Sequence, residues 1–395
     1  MTGTRHLLLC AVPVDDDEED PRIASEYAAS SAAMLDLFSN EVLAVKRWPN
    51  WGIPEAHFPA FSSFLAVYGV WREATLVDGA FDRGIKEIIC ACVSISSSCN
   101  FCANGHAVCA RLGGIEGALT LLRDRNAGHI QDERVRTLAT WALAVRDPDS
   151  ESVRHPPPMS PRDAAELLGS VIHAIYKNVF ASIFVGAGRL PDAFPKPMRS
   201  ASKYPLAMAG MNRMMQLCLM PRSKRATPRR IREVWAQLPT PFDPSSVVLP
   251  PDLWWSMPNE AIADALRFMV VEQGRIETRW LPPPVATGVS QFINTEYRGL
   301  SLSHTDGATA AAVAAMPDVV SEDDVFLASF LLSAALDSSA VRGDMLDQFR
   351  HRYEHLDEAV ELMMREVISW AAWVASRRIV AWMGAHASDG GKQFA

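Results

Sequence analysis

Between residues 81 and 95 apolar side chains recur at alternating steps of four and three, at Phe81, Ile85, Ile88, Cys92 and Ile95. This is the stripe of an amphipathic helix; a half-buried strand would alternate every second residue. A buried strand over residues 88–95 is the competing reading of the same short run. Comparable patterns predict helices over residues 132–145, 162–185, 259–273, 322–336 and 358–383. In the second of these the breaker HPPPMSP ends one element, and Ser160-Pro161 supplies the N-cap and first helical residue of the next. No succession of hairpin turns separates alternating strands, so the chain reads as all-α.

The length of 395 residues predicts two domains or one fold repeated. Residues 1–40 form an N-terminal segment with an acidic run, 41–190 a first helical domain, 191–258 a proline-rich connector with short helices near 207–219 and 229–237, and 259–395 a second helical domain. The two domains share a faint repeat. Asp163-Ala-Ala-Glu-Leu167 and Glu358-Ala-Val-Glu-Leu362 each open a long helix, 195 residues apart. Residues from Val320 then align with those from Ile130, and His304 falls near the place of His106 with no cysteine beside it. Chance similarity of two amphipathic helices is the alternative.

Hydrophobic residues make up 49% of the chain, net charge is −8 and mean hydropathy is +0.02. These values predict a soluble protein with a large core and exclude a disordered chain. Acids and bases are mostly interspersed, so no footprint for nucleic acid or an anionic membrane is expected, and small molecules or proteins are the expected partners. The start resembles a short signal sequence, but an acidic run follows at once without a small-residue cleavage site. No other apolar run reaches the ~20 residues of a spanning helix, because Lys177 interrupts one and Arg377 with Arg378 another. The expectation is a cytoplasmic protein.

Five of the seven cysteines, Cys90, Cys92, Cys99, Cys102 and Cys109, fall within twenty residues. Cys99, Cys102 and His106 share one face of a helix whose start is marked by Ser96-Ser97-Ser98. A thiol in a first helical turn meets free backbone N–H groups and the positive end of the helix dipole, and both favour thiolate. Two such thiols three residues apart can attack a disulfide or peroxide and then close on each other. His106 can move the proton, and Glu87 on the preceding helix can orient the imidazole. One zinc held by Cys99, Cys102, His106 and Cys109 is disfavoured, since ten helical residues rise about 15 Å. A zinc on Cys99, Cys102, His106 and an outside ligand is the remaining metal alternative. Cys90, Cys92 and Cys109 read as small buried hydrophobes.

Glu87, eleven intervening residues, then Cys99-x-x-Cys102-x-x-x-His106, followed by Arg111-Leu-Gly-Gly114, resembles the AhpD-like, carboxymuconolactone decarboxylase-related superfamily. The resemblance is firm over residues 60–190 and degenerate over 260–384, where the cysteines are lacking. It implies an all-helical fold, a homo-oligomer, and a thiol peroxidase or disulfide reductase without metal or organic cofactor. It also implies that Cys102 attacks the peroxide, Cys99 resolves, and His106 and Glu87 relay the proton. Phe101 departs from the short prototype, which has a second histidine there. The partners expected are a small hydroperoxide or metabolite and a thiol reductant or redox protein. Two further functions stay open: a biosynthetic tailoring enzyme acting on a small metabolite, and a non-enzymatic redox-sensing or interaction protein.

Overall fold

A computed structural model describes residues 61–185, 228–299, 308–341, 343–357 and 359–385, and these are helical, with no strand among them. The acidic N-terminal run, the expected helix at 207–219 and His304 lie outside the described residues. Helix α1 (Phe61–Trp71) runs on into a π-helical turn (Arg72–Leu76), and α2 (Arg83–Ser96) and α3 (Asn100–Leu112) follow as a tight pair. Next come α4 (Ala118–Asp124), α5 (Glu133–Leu143), the single turn α6 (Glu151–Arg154) and the long α7 (Pro161–Phe180), which ends in a second π-helical turn (Ala181–Val185). The remainder comprises α8 (Arg232–Trp235), α9 (Glu260–Trp280), α10 (Pro283–Thr295), α11 (Ala308–Ala314), α12 (Glu322–Leu336), α13 (Gly343–Arg352) and α14 (Ala359–Ala385).

Local chemistry sets several of these boundaries. Asp82, Asp132, Asn259 and Ser321 each accept a backbone N–H at the start of α2, α5, α9 and α12. Ser160 does the same for α7 and forms a capping box with Asp163, with Pro161 behind it. The strand alternative for residues 88–95 does not hold, because α2 is buried on nearly every side, between α3, α5 and α7. The expected helix near 229–237 shrinks to the one turn of α8.

Helices α2, α5 and α7 cluster in the first half, and α10, α12 and α14 in the second. The halves meet where α1 packs on α9 and α7 on α14. One continuous apolar core, from Leu65 to Met383, runs through both. Polar contacts also cross the join: Tyr176 hydroxyl to Ser369, which also accepts from Gln273 at 3.0 Å, and Trp382 Nε1 to the Val145 carbonyl at 3.0 Å. In one respect the sequence reading is corrected. The stretch Pro161–Phe184 does have the length and hydropathy of a membrane-crossing helix despite Lys177, and 89% of its apolar window is packed inside the protein.

Candidate active site

The site is assembled at the crossing of α2 and α3, under the C-terminal half of α7. Two glycines permit the crossing: a Cβ on Gly113 would stand 2.6 Å from Gly84 Cα, and one on Gly84 would stand 2.8 Å from the Gly113 carbonyl. The close approach lets Glu87, in the second turn of α2, reach His106 on α3.

Glu87 is 1% exposed yet doubly held, by Arg83 Nε at 3.0 Å and by His106 Nδ1 at 2.6 Å. Burial pushes its carboxyl up, but the His106 hydrogen bond and the Arg83 guanidinium outweigh that and hold the pKa at about 2. An ionised carboxylate only accepts, so His106 Nδ1 carries the proton and Nε2 bears the lone pair. Burial lowers the His106 pKa, with Glu87 opposing and Lys177 and Arg83 adding to the lowering, and the ring stays neutral. Its Nε2 is buried without a partner among the described residues, with its lone pair unused by them.

The serine run does not cap α3 as the sequence suggests. Ser97 is the C-cap of α2, and Ser98 takes a left-handed conformation (φ 56°) that turns the chain. Cys99 is itself the N-cap of α3, with φ −85° and ψ 87°. Its sulfur therefore occupies the place where a serine oxygen would accept from the first turn. The Cys99 pKa is lowered, first by the Cys102 thiol donating to it, against burial, then by the Cys102 backbone N–H, the Ser182 hydroxyl and the Lys177 charge. These donors favour the Cys99 thiolate within the pair of thiols, and the attacking role that the family resemblance gives to Cys102 is not tested by the geometry.

Around the sulfurs Phe101, Ala181 and the half-buried Val108 form a small apolar cluster of their own, separate from the main core. Phe101 thus supplies an apolar wall where the prototype's pattern has an imidazole. Cys90 and Cys92 are buried, and burial pushes both thiols up; that of Cys109 is pushed up to about 12. Such thiols are inert near neutral pH. No group of three His, Cys, Asp or Glu side chains among the described residues is arranged to hold a metal ion.

Sequence reasoning missed the contribution of α7. Lys177 is 5% exposed, with Nζ 4.9 Å from the centre of the Trp71 ring. His173, one turn earlier, stacks on Trp71 at 5.6 Å and meets His106 edge to face at 6.5 Å. Two basic residues four apart on an otherwise apolar helix were the available signal. Ser182, in the π-helical turn, had none, because only the irregular backbone brings it to Cys99.

Fold and site together describe an all-α protein with a buried pair of thiols and, one turn beyond Cys102 on the same helix, the imidazole of a Glu–His pair. No family model matches the chain. Over 338 residues, 82% of this chain and 83% of the relative, it is 26% identical to a protein of Mycobacterium tuberculosis named alkyl hydroperoxide reductase. That likeness spans both halves of the chain.

Proposed function

We propose that the protein is a thiol-dependent peroxidase of the alkylhydroperoxidase-like kind, working through Cys99 and Cys102 and drawing electrons from a thiol reductant or a partner redox protein. The observation that carries the reading is the polarised dithiol. Cys99 accepts from Cys102 and Ser182 beside Lys177, while the Glu87–His106 pair offers a neutral base nearby. A thiolate so held attacks the O–O bond, and the adjoining Cys102 thiol displaces hydroxide from the resulting sulfenic acid to close a disulfide. The reductant then restores both thiols. The relative's printed name supports the same class of activity.

The test is reductant-dependent consumption of an alkyl hydroperoxide by the full chain. Cys99→Ser and Cys102→Ser are each expected to abolish turnover, with Cys99→Ser also abolishing the first, stoichiometric loss of peroxide. Unchanged consumption in both variants would contradict the mechanism. Activity on a metabolite that survives loss of both thiols but not of Glu87 or His106 would favour the tailoring-enzyme reading instead.

A further inference from the structure

The peroxidase reading uses one face of the site, the sulfurs and the Glu87–His106 pair. At the edge of this face, three ring nitrogens are buried without a hydrogen-bond partner among the described residues: both of His173 and Nε2 of His106. The two rings are in edge-to-face contact, and Trp71 covers one face of His173. An unsatisfied buried polar atom costs about 1–3 kcal/mol. Three in one contact group, with the buried Lys177 side chain against the same Trp71 ring, make a polar cluster inside an otherwise apolar helix packing.

We propose that His173 and Lys177, walled by Trp71, are the substrate-binding half of this site, which holds the O–O group of a small, uncharged organic hydroperoxide. His106 Nε2 accepts the hydroperoxide O–H, and His173 and Lys177 donate to the oxygen that bears the organic group. The inference rests on the peroxidase reading. Charge sets the substrate class. Arg83 pairs with Glu87, and no described carboxylate pairs with Lys177, whose charge is left to balance the thiolate that the peroxidase reading requires. A carboxylate or phosphate on the substrate would add a buried anion with no counter-ion. The organic group is accommodated by Phe101, Val108 and Ala181 beside the sulfurs.

The step balances. The Cys99 thiolate forms a bond to the hydroxyl-bearing oxygen, the O–O bond breaks, and the electron pair leaves on the alkoxide. Lys177 gives the alkoxide a proton, so the alcohol departs. Cys102 then attacks the sulfenic sulfur, its thiol proton leaves with the hydroxide as water, and the disulfide forms. When the thiol reductant reopens the disulfide, Cys99 returns a proton to Lys177.

The experiment compares the native chain with His173→Leu, His173→Gln and Lys177→Met, using tert-butyl hydroperoxide with dithiothreitol, and in parallel measures alkylation of the site thiols by iodoacetamide. Helical circular dichroism and a cooperative melt establish that each variant is folded. His173→Leu is expected to raise KM about tenfold while alkylation stays within about twofold of native, because His173 serves the peroxide and not the sulfur. His173→Gln, which keeps a donor and an acceptor, recovers most of that loss. Lys177→Met is expected to lower kcat about 10²-fold. A carboxylate-bearing hydroperoxide of matched size is turned over more slowly than its uncharged counterpart. Folded His173→Leu with native kcat/KM, His173→Gln no better than His173→Leu, or preference for the charged peroxide, overturns this proposal and leaves the peroxidase reading standing. A native chain that consumes no hydroperoxide overturns both.

Discussion

Glu87 is almost fully enclosed, a position in which a carboxyl group ordinarily keeps its proton, yet Arg83 and His106 hold it ionised. Its charge fixes the tautomer of His106 and leaves Nε2 free as a base. Glu87→Ala is therefore expected to lower kcat/KM about 10²-fold, with a changed pH profile, while Glu87→Gln, which keeps an acceptor for Nδ1–H, loses less. The buried histidines also set the acid limit of stability. His106 and His173 have pKa values below the ordinary 6.5, His173 well below, mainly through burial. Above pH 6.5 they are neutral folded or unfolded. Below it the unfolded chain takes up protons that the folded chain resists, so stability falls by about 1.4 kcal/mol per pH unit for each histidine. Glu87 acts in the same sense at lower pH, its contribution present above 4.5 and lost toward about 2. Urea midpoints from pH 7 to pH 5 check this; His173→Leu should flatten the slope. Glu87, Cys99, Cys102 and His106 were legible because all lie on two adjacent helices within twenty residues. His173 and Lys177 come from α7 and Ser182 from the π-helical turn after it, some seventy residues on, and they meet the site only through tertiary packing.

At the scale of elements, α2 and α3 can bring Glu87 to His106 only because Gly84 and Gly113 let their backbones nearly touch. Gly84→Ala is expected to cost about 1–3 kcal/mol and to lower activity as well, since it pushes the carboxylate away from the imidazole. Denaturant unfolding and kcat/KM measured on the same variant check both. The π-helical turn after α7 has a separable effect. Ser182→Ala removes one donor to Cys99, so the pH profile of Cys99 alkylation should move to higher pH with little change in melting. Most long helices were readable from stripes and caps, as Ser160-Pro161 illustrates. Helix α10 was not, because its opening Pro283-Pro284 and following Val, Thr and Gly residues look like a breaker, and only burial of Val285, Val289 and Ile293 makes it a helix. The serine run misled for a related reason: it marked the corner, but tertiary geometry gave the cap to Cys99.

Across the whole molecule, α10 packs on α12 and α14 in the second half as α2 packs on α5 and α7 in the first, but α12 also lies along α14, where α5 and α7 have no comparable contact. The second half is packed against helices of the first. It covers α1 and α7, whose outward faces complete the core with α9 and α14. Calorimetry should accordingly show one cooperative transition for the chain, and truncation after residue 258 should leave a form that binds hydrophobic dyes and lacks cooperative melting. Two independent transitions would contradict a shared core.

The most direct test of the central claim is the mass of the protein after one equivalent of alkyl hydroperoxide, with and without reductant. The account predicts a two-dalton loss confined to the peptide holding Cys99 and Cys102, reversed by dithiothreitol, with Cys90, Cys92 and Cys109 still free. An oxidised protein in which that peptide keeps its full mass, or a disulfide that draws in one of the other three cysteines, would contradict it.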